Sequence, residues 1–83
     1  MEYYLILARS VTFAQRMQRA LDRAGIRSGI SHAPRELTDM GCAYVVRVAA
    51  GEIHAAMTVL YGAGLSPAQL FFYQNGQLHE VRL

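Results

Sequence analysis

An α+β fold is predicted for this chain by three observations. Apolar residues run continuously or alternate in five short stretches, as strands require. Two longer stretches carry them at helical spacing instead. Glycines, serines and prolines fall between these stretches, where turns are needed. The resulting order is β-α-β-β-α-β-β. It predicts a ferredoxin-like sandwich with an extra C-terminal edge strand: an antiparallel sheet with two helices on one face.

Residues Tyr3 to Ala8 are apolar throughout, the pattern of a strand buried on both faces. Arg9 and Ser10 end it. Ser10 or Thr12 can cap the helix that follows, and Thr12 with Gln15 matches a capping box. Phe13, Met17, Ala20, Leu21 and Ala24 then mark one apolar stripe, with Arg16, Arg19 and Arg23 on the solvated side. Gly25 follows the last apolar position and suits a left-handed helix end. Ile26 to His32 reads as a weak strand, thinned at Gly29. Pro34 opens a loop. Ala43 to Val48 is the third strand, and Ala49 to Gly51 a connector. Ile53, Ala56, Met57 and Leu60 make the second helix, which ends at Gly62 or Gly64. Leu70–Gln74 and Gln77–Val81 are strands around Asn75-Gly76, a strong hairpin signal.

At 83 residues the chain has room for one domain, 1–83. Its hydrophobic share, 53%, is more than one small core hides, which predicts a homo-oligomer or a partner. The helices can cover only one sheet face. Tyr3–Ala8 and the consecutive Phe71, Phe72 and Tyr73 should therefore leave apolar side chains exposed on the other face, or the final hairpin exposed, for a two-fold contact. The net charge of +2 gives no nucleic-acid patch, although all eight basic residues are arginine. Aromatics on the sheet raise RNA stacking, but the third strand, Ala-Tyr-Val-Val-Arg-Val, lacks an RNA-binding signature. The single cysteine excludes an internal disulfide and fits a reducing compartment. The start, Met-Glu-Tyr-Tyr, lacks a basic leader region, and no apolar run is long enough to span a bilayer. The expectation is a cytoplasmic protein that touches neither membrane nor nucleic acid.

Candidate chemistry gathers between His32 and Val48. In the expected topology the first and third strands are central and antiparallel. That brings Arg9, Ser10 and the first helix's amino end beside the Pro34–Met40 loop and Cys42. A helix amino terminus with Arg9 and Arg35 would favour thiolate over thiol at Cys42. Gly41 would let a bound group approach the backbone closely. The competing reading makes Cys42 a small buried apolar residue opening a strand. Arg35, on a loop fixed by Pro34, can hold an anion through two hydrogen bonds; alternatively Arg35 and Glu36 are a solvated turn. His32, His54 and His79 lie on different elements without ligand spacing, so no metal site is expected, and no cofactor. His32 alone lies near the loop and could donate a proton there.

These stretches resemble one family. A short strand running into a serine-started helix (Tyr4–Ser10), then Ala24-Gly25-Ile26, Pro34-Arg35-Glu36, and a cysteine leading a strand (Cys42 to Val48) are similar to the Se/S carrier-like family of small proteins. The resemblance spans about the first three quarters of the chain. It departs at Gly41-Cys42-Ala43, where the family pattern has Cys-Gly; Arg47 matches the family's arginine if the loop carries one extra residue. The resemblance implies a carrier and not a turnover enzyme. Cys42 would hold sulfur or selenium as a persulfide or perselenide, and the partners would be sulfur- or selenium-transfer proteins; on physical grounds Arg35, Arg9 and the first helix's amino terminus, at Ser10, would stabilise the charged product. The alternative is a non-catalytic regulatory or interaction module that dimerises through its sheet.

Overall fold

The computed structural model describes residues 2–34, 37 and 43–82. Five strands and two helices follow one another: β1 (Tyr3–Ala8), α1 (Val11–Arg23), β2 (Gly29–His32), β3 (Tyr44–Ala49), α2 (Ile53–Gly62), β4 (Gln69–Gln74) and β5 (Gln77–Val81). A short 3-10 turn, Ala50–Glu52, leads into α2. The strands form one antiparallel sheet in the order β2-β3-β1-β4-β5. The protein is thus α+β, with β1 central between β3 and β4. No helix among the described residues is long and apolar enough to cross a membrane.

Local sequence accounts for the ends of the elements. Ser10 is extended, and its Oγ accepts the Phe13 N–H at 3.1 Å, so Ser10 caps α1. Thr12 lies inside the helix. The Thr12–Gln15 capping box is therefore not used, because the helix has begun before it. At the other end Gly25 adopts φ +78°. The Gly25 N–H donates to the Asp22 carbonyl at 3.0 Å and the Ile26 N–H to that of Leu21 at 2.9 Å. This pair of bonds is the Schellman arrangement. It corrects the expected second strand: Ile26 is the buried residue that closes the helix end, and β2 starts only at Gly29. The end of α2 repeats the device. Gly64 takes φ +72°, and the Leu65 N–H donates to the Leu60 carbonyl at 2.8 Å. Asn75 and Gly76, at φ 53° and 77°, make the two-residue turn that joins Gln74 to its partner Gln77.

The main core lies between the sheet and both helices. Ile6 and Ala8 of β1, Val46 and Val48 of β3 and Leu70 of β4 meet Ala14, Met17 and Leu21 of α1 and Ile53, Ala56 and Leu60 of α2. Arg16, Arg19 and Arg23 are exposed, as the helical spacing requires.

The opposite sheet face departs from expectation. It should have been bare, yet Leu5, Leu7, Val45 and Phe71 are all buried, with Leu7 at 8% exposure the most open of them. Ala33, Leu37 and Ala43 pack against this second cluster, together with Tyr3 and Leu78. The connection between β2 and β3 thus contributes side chains to a face that no helix reaches. Aromatics account for more of it. Tyr3 stacks on its cross-strand neighbour Tyr73 with centroids 4.6 Å apart, and Tyr4 meets Phe72 at 4.7 Å. The only large hydrophobics classed as exposed among the described residues are Val11 and Tyr61, both on helices. Leu37→Ser should therefore lower stability by about 1 kcal/mol, roughly half the worth of a fully buried leucine, because Leu37 is half-buried. Urea unfolding measures this; an unchanged midpoint would mean that Leu37 does not help to seal the face.

Candidate functional site

Register sets what meets at the loop end of the sheet. Ala8, the last residue of β1, pairs with Tyr44, the first of β3. Tyr44 pairs on its other side with His32, the last residue of β2. The ladder extends one step further, since the Ala33 N–H donates to the Ala43 carbonyl at 2.9 Å. Three chain ends therefore converge: Ala8 leading into Arg9 and Ser10, His32 leading into Pro34, and Ala43 leading into β3.

Arg9 and Ser10 are both exposed. The Ser10 Oγ uses one lone pair on the helix cap and keeps its O–H to donate. The first turn of α1 carries no acidic residue, so its amino-terminal partial charge is not offset locally. Ser10→Ala should cost about 1 kcal/mol by removing the cap. A lowered denaturation midpoint would show this, and an unchanged one would mean that water replaces the hydroxyl. Pro34 is half-buried, and its carbonyl accepts the Leu37 N–H at 2.9 Å, which turns the chain back over the sheet. His32 is exposed and its ring lies 4.7 Å from that of Tyr44. Cys42, Arg35 and Gly41, the remaining expected site residues, lie outside the described residues. The histidines stand apart as expected, on β2, α2 and β5. No group of metal-ligating side chains forms among the described residues.

The family model described as "Putative Se/S carrier protein-like" matches residues 3–71. The chain belongs to that family. The match begins with β1 and ends inside β4, so it takes in both helices, the first three strands and the whole segment between β2 and β3, with Cys42 in it, and leaves out β5. No curated protein and no solved structure matches the chain significantly.

One grouping of residues is not legible in the sequence, although it includes Arg47, the residue matched to the family's arginine. At the far end of the same strands, Arg47 of β3 lies over the Tyr3 ring, 5.3 Å from its centroid, and borders a cleft with Arg27. The available signal was Gly29, noted only as a weak point in a strand. It lies directly across from Arg47.

Proposed function

We propose that this protein is a sulfur or selenium carrier in which the Cys42 thiol holds the cargo between a donor and an acceptor protein. The supporting observation is the Ala8–Tyr44 pairing, read with the family to which the chain belongs. Covalent geometry keeps the Cα of residue 42 within about 7 Å of that of Tyr44. Paired residues in an antiparallel ladder lie about 5 Å apart. On this reading the thiol works at the end of the sheet where β1 hands over to Arg9, Ser10 and the start of α1. That neighbourhood offers positive charge and hydrogen-bond donors to an anionic sulfur.

The chemistry is thiolate exchange. The Cys42 thiolate attacks the outer sulfur of a donor's cysteine persulfide. The new S–S bond forms at Cys42 as the donor's S–S bond breaks, and the donor cysteine leaves as a thiolate. Cys42 then carries the persulfide anion, and an acceptor thiolate takes the outer sulfur by the same step in reverse. Selenium in place of the outer sulfur follows the same course. Arg35, beside Pro34, and Arg9 stabilise the terminal anion; Gly41 leaves room for it. No cofactor or metal takes part. On this reading the chain is one ferredoxin-like domain with β5 as an extra edge strand, and the sheet order β2-β3-β1-β4-β5 supports it. It works in the cytoplasm. A homo-oligomer joined through the open edge of β5 belongs to the same proposal, and light scattering reads it as a multiple of the 9.2 kDa chain.

Loading tests the proposal. Incubation with a sulfur-loaded cysteine desulfurase should add one sulfur atom to the intact protein by mass spectrometry. Unmodified protein under several donors would reject the carrier reading in favour of an interaction module. Arg35→Ala should slow modification of Cys42 by anionic reagents more than by neutral ones, while stability stays within about 0.5 kcal/mol, as for an exposed side chain. Equal slowing of both classes would give Arg35 a role in loop shape and none in charge.

A further inference from the structure

At the end of the sheet away from the β2–β3 loop, the amino end of β1 and the carboxyl end of β3 border an open cleft of about 330 Å³. That volume is at the lower end of the range for small-molecule sites and exceeds what water alone needs. Its wall is built in layers. Tyr3 rests on Tyr73 on one side and carries the Arg47 guanidinium on the other. A guanidinium within cation–π reach of a ring still has N–H groups to offer an oxyanion. Arg27 supplies a second guanidinium to the cleft. Neither arginine forms an ion pair among the described residues. Glu2 also borders the cleft, but its carboxylate accepts a hydrogen bond from the Gln74 amide at 2.7 Å. The two guanidinium charges thus outweigh the one carboxylate.

One further feature keeps the cleft open. Gly29 lines the cleft opposite Arg47, and a Cβ built on it would meet nothing within 4 Å. Its backbone is not in the left-handed region, so no turn requires glycine there. The missing side chain leaves space beside the Arg47 guanidinium.

We propose that this cleft binds a small organic oxyanion, a carboxylate or a phosphate ester. Arg47 and Arg27 grip the anionic group, and the organic part lies over Gly29 against the guanidinium face. An adjoining cleft shares Arg27 and Ser28 and contains Asp22. The site is separate from the thiol chemistry proposed above and does not depend on it.

Titration of the full chain by two-dimensional amide and arginine Nε–H NMR tests this, with phenyl phosphate, benzoate and neutral benzyl alcohol as probes. Phenyl phosphate or benzoate, or both, should move the Ser28, Gly29 and Arg47 signals saturably; the stronger of the two identifies the head group. Benzyl alcohol should not. Gly29→Val puts a branched side chain where the organic part would lie and suits a strand, so it should weaken binding at least about tenfold while the protein stays folded. Arg47→Gln should weaken it similarly, and Arg16→Gln, on the exposed face of α1, should leave it unchanged. The proposal fails if neither anion saturates, if benzyl alcohol binds as well, or if folded Gly29→Val and Arg47→Gln proteins bind like the wild type.

Discussion

Cys42→Ser protein treated with a sulfur-loaded desulfurase should gain no sulfur, where the wild type gains one. The effect is expected to be complete because the chain has no other cysteine to accept a sulfane sulfur. A serine hydroxyl stays protonated near neutral pH and is a poor nucleophile toward sulfur, whereas a thiol supplies a thiolate. The exchange changes one atom and hardly alters side-chain volume. Stability should therefore move by no more than about 0.5 kcal/mol, and a normal unfolding curve would separate lost chemistry from lost structure. A sulfur adduct that persists in Cys42→Ser would overturn the assignment of Cys42 as the carrier atom.

Leu60→Ala should be the most damaging of the substitutions considered, at about 3 kcal/mol. Leu60 is wholly buried among β1, β3 and α1 side chains. Deleting it removes apolar burial and leaves a cavity that close-packed neighbours cannot fill, a combination that costs about 2–5 kcal/mol in other cores. Leu60 also stands where α2 closes. Its carbonyl accepts the Leu65 N–H, and both side chains are buried in the same cluster. The alanine would therefore loosen the helix end as well as the core. Domains of this size have total stabilities of about 5–15 kcal/mol, and each kcal/mol moves the melting temperature by about 4–8 °C. The midpoint should fall by about 12 °C or more in a thermal melt. A loss below about 1 kcal/mol would mean that the two helices are not docked through Leu60.

Much of this architecture is legible in the chain because its signals are local. The apolar run Tyr3–Ala8 becomes the central strand, buried from Leu5 onward. Asn75-Gly76 turns where two residues must take positive φ, and Gly25 and Gly64 sit one step past the last helical turns. Family membership was also legible, in short stretches of sequence around Ser10, Gly25, Pro34 and Cys42. Each of these depends on a few neighbouring residues, and a side chain's period or a backbone's freedom is already present in the unfolded chain.

What only the tertiary structure decided depends on residues far apart in sequence. Both Ser10 and Thr12 could cap a helix; Ser10 does so, as the extended residue just before α1 starts at Val11, two residues past the end of β1 at Ala8. Ile26 could extend a strand, but the closing turn of α1 takes it into the core instead. The second sheet face looked bare because composition alone does not reveal that Ala33, Leu37 and Ala43 fold back over Leu5, Leu7, Val45 and Phe71. The arginine cleft is the clearest case. Gly29 and Arg47 become neighbours solely through the register of β2 on β3, and Arg47 reaches Tyr3 across the central pair of strands. Register is set by the burial of a whole sheet face at once, so no local pattern in the sequence contains it.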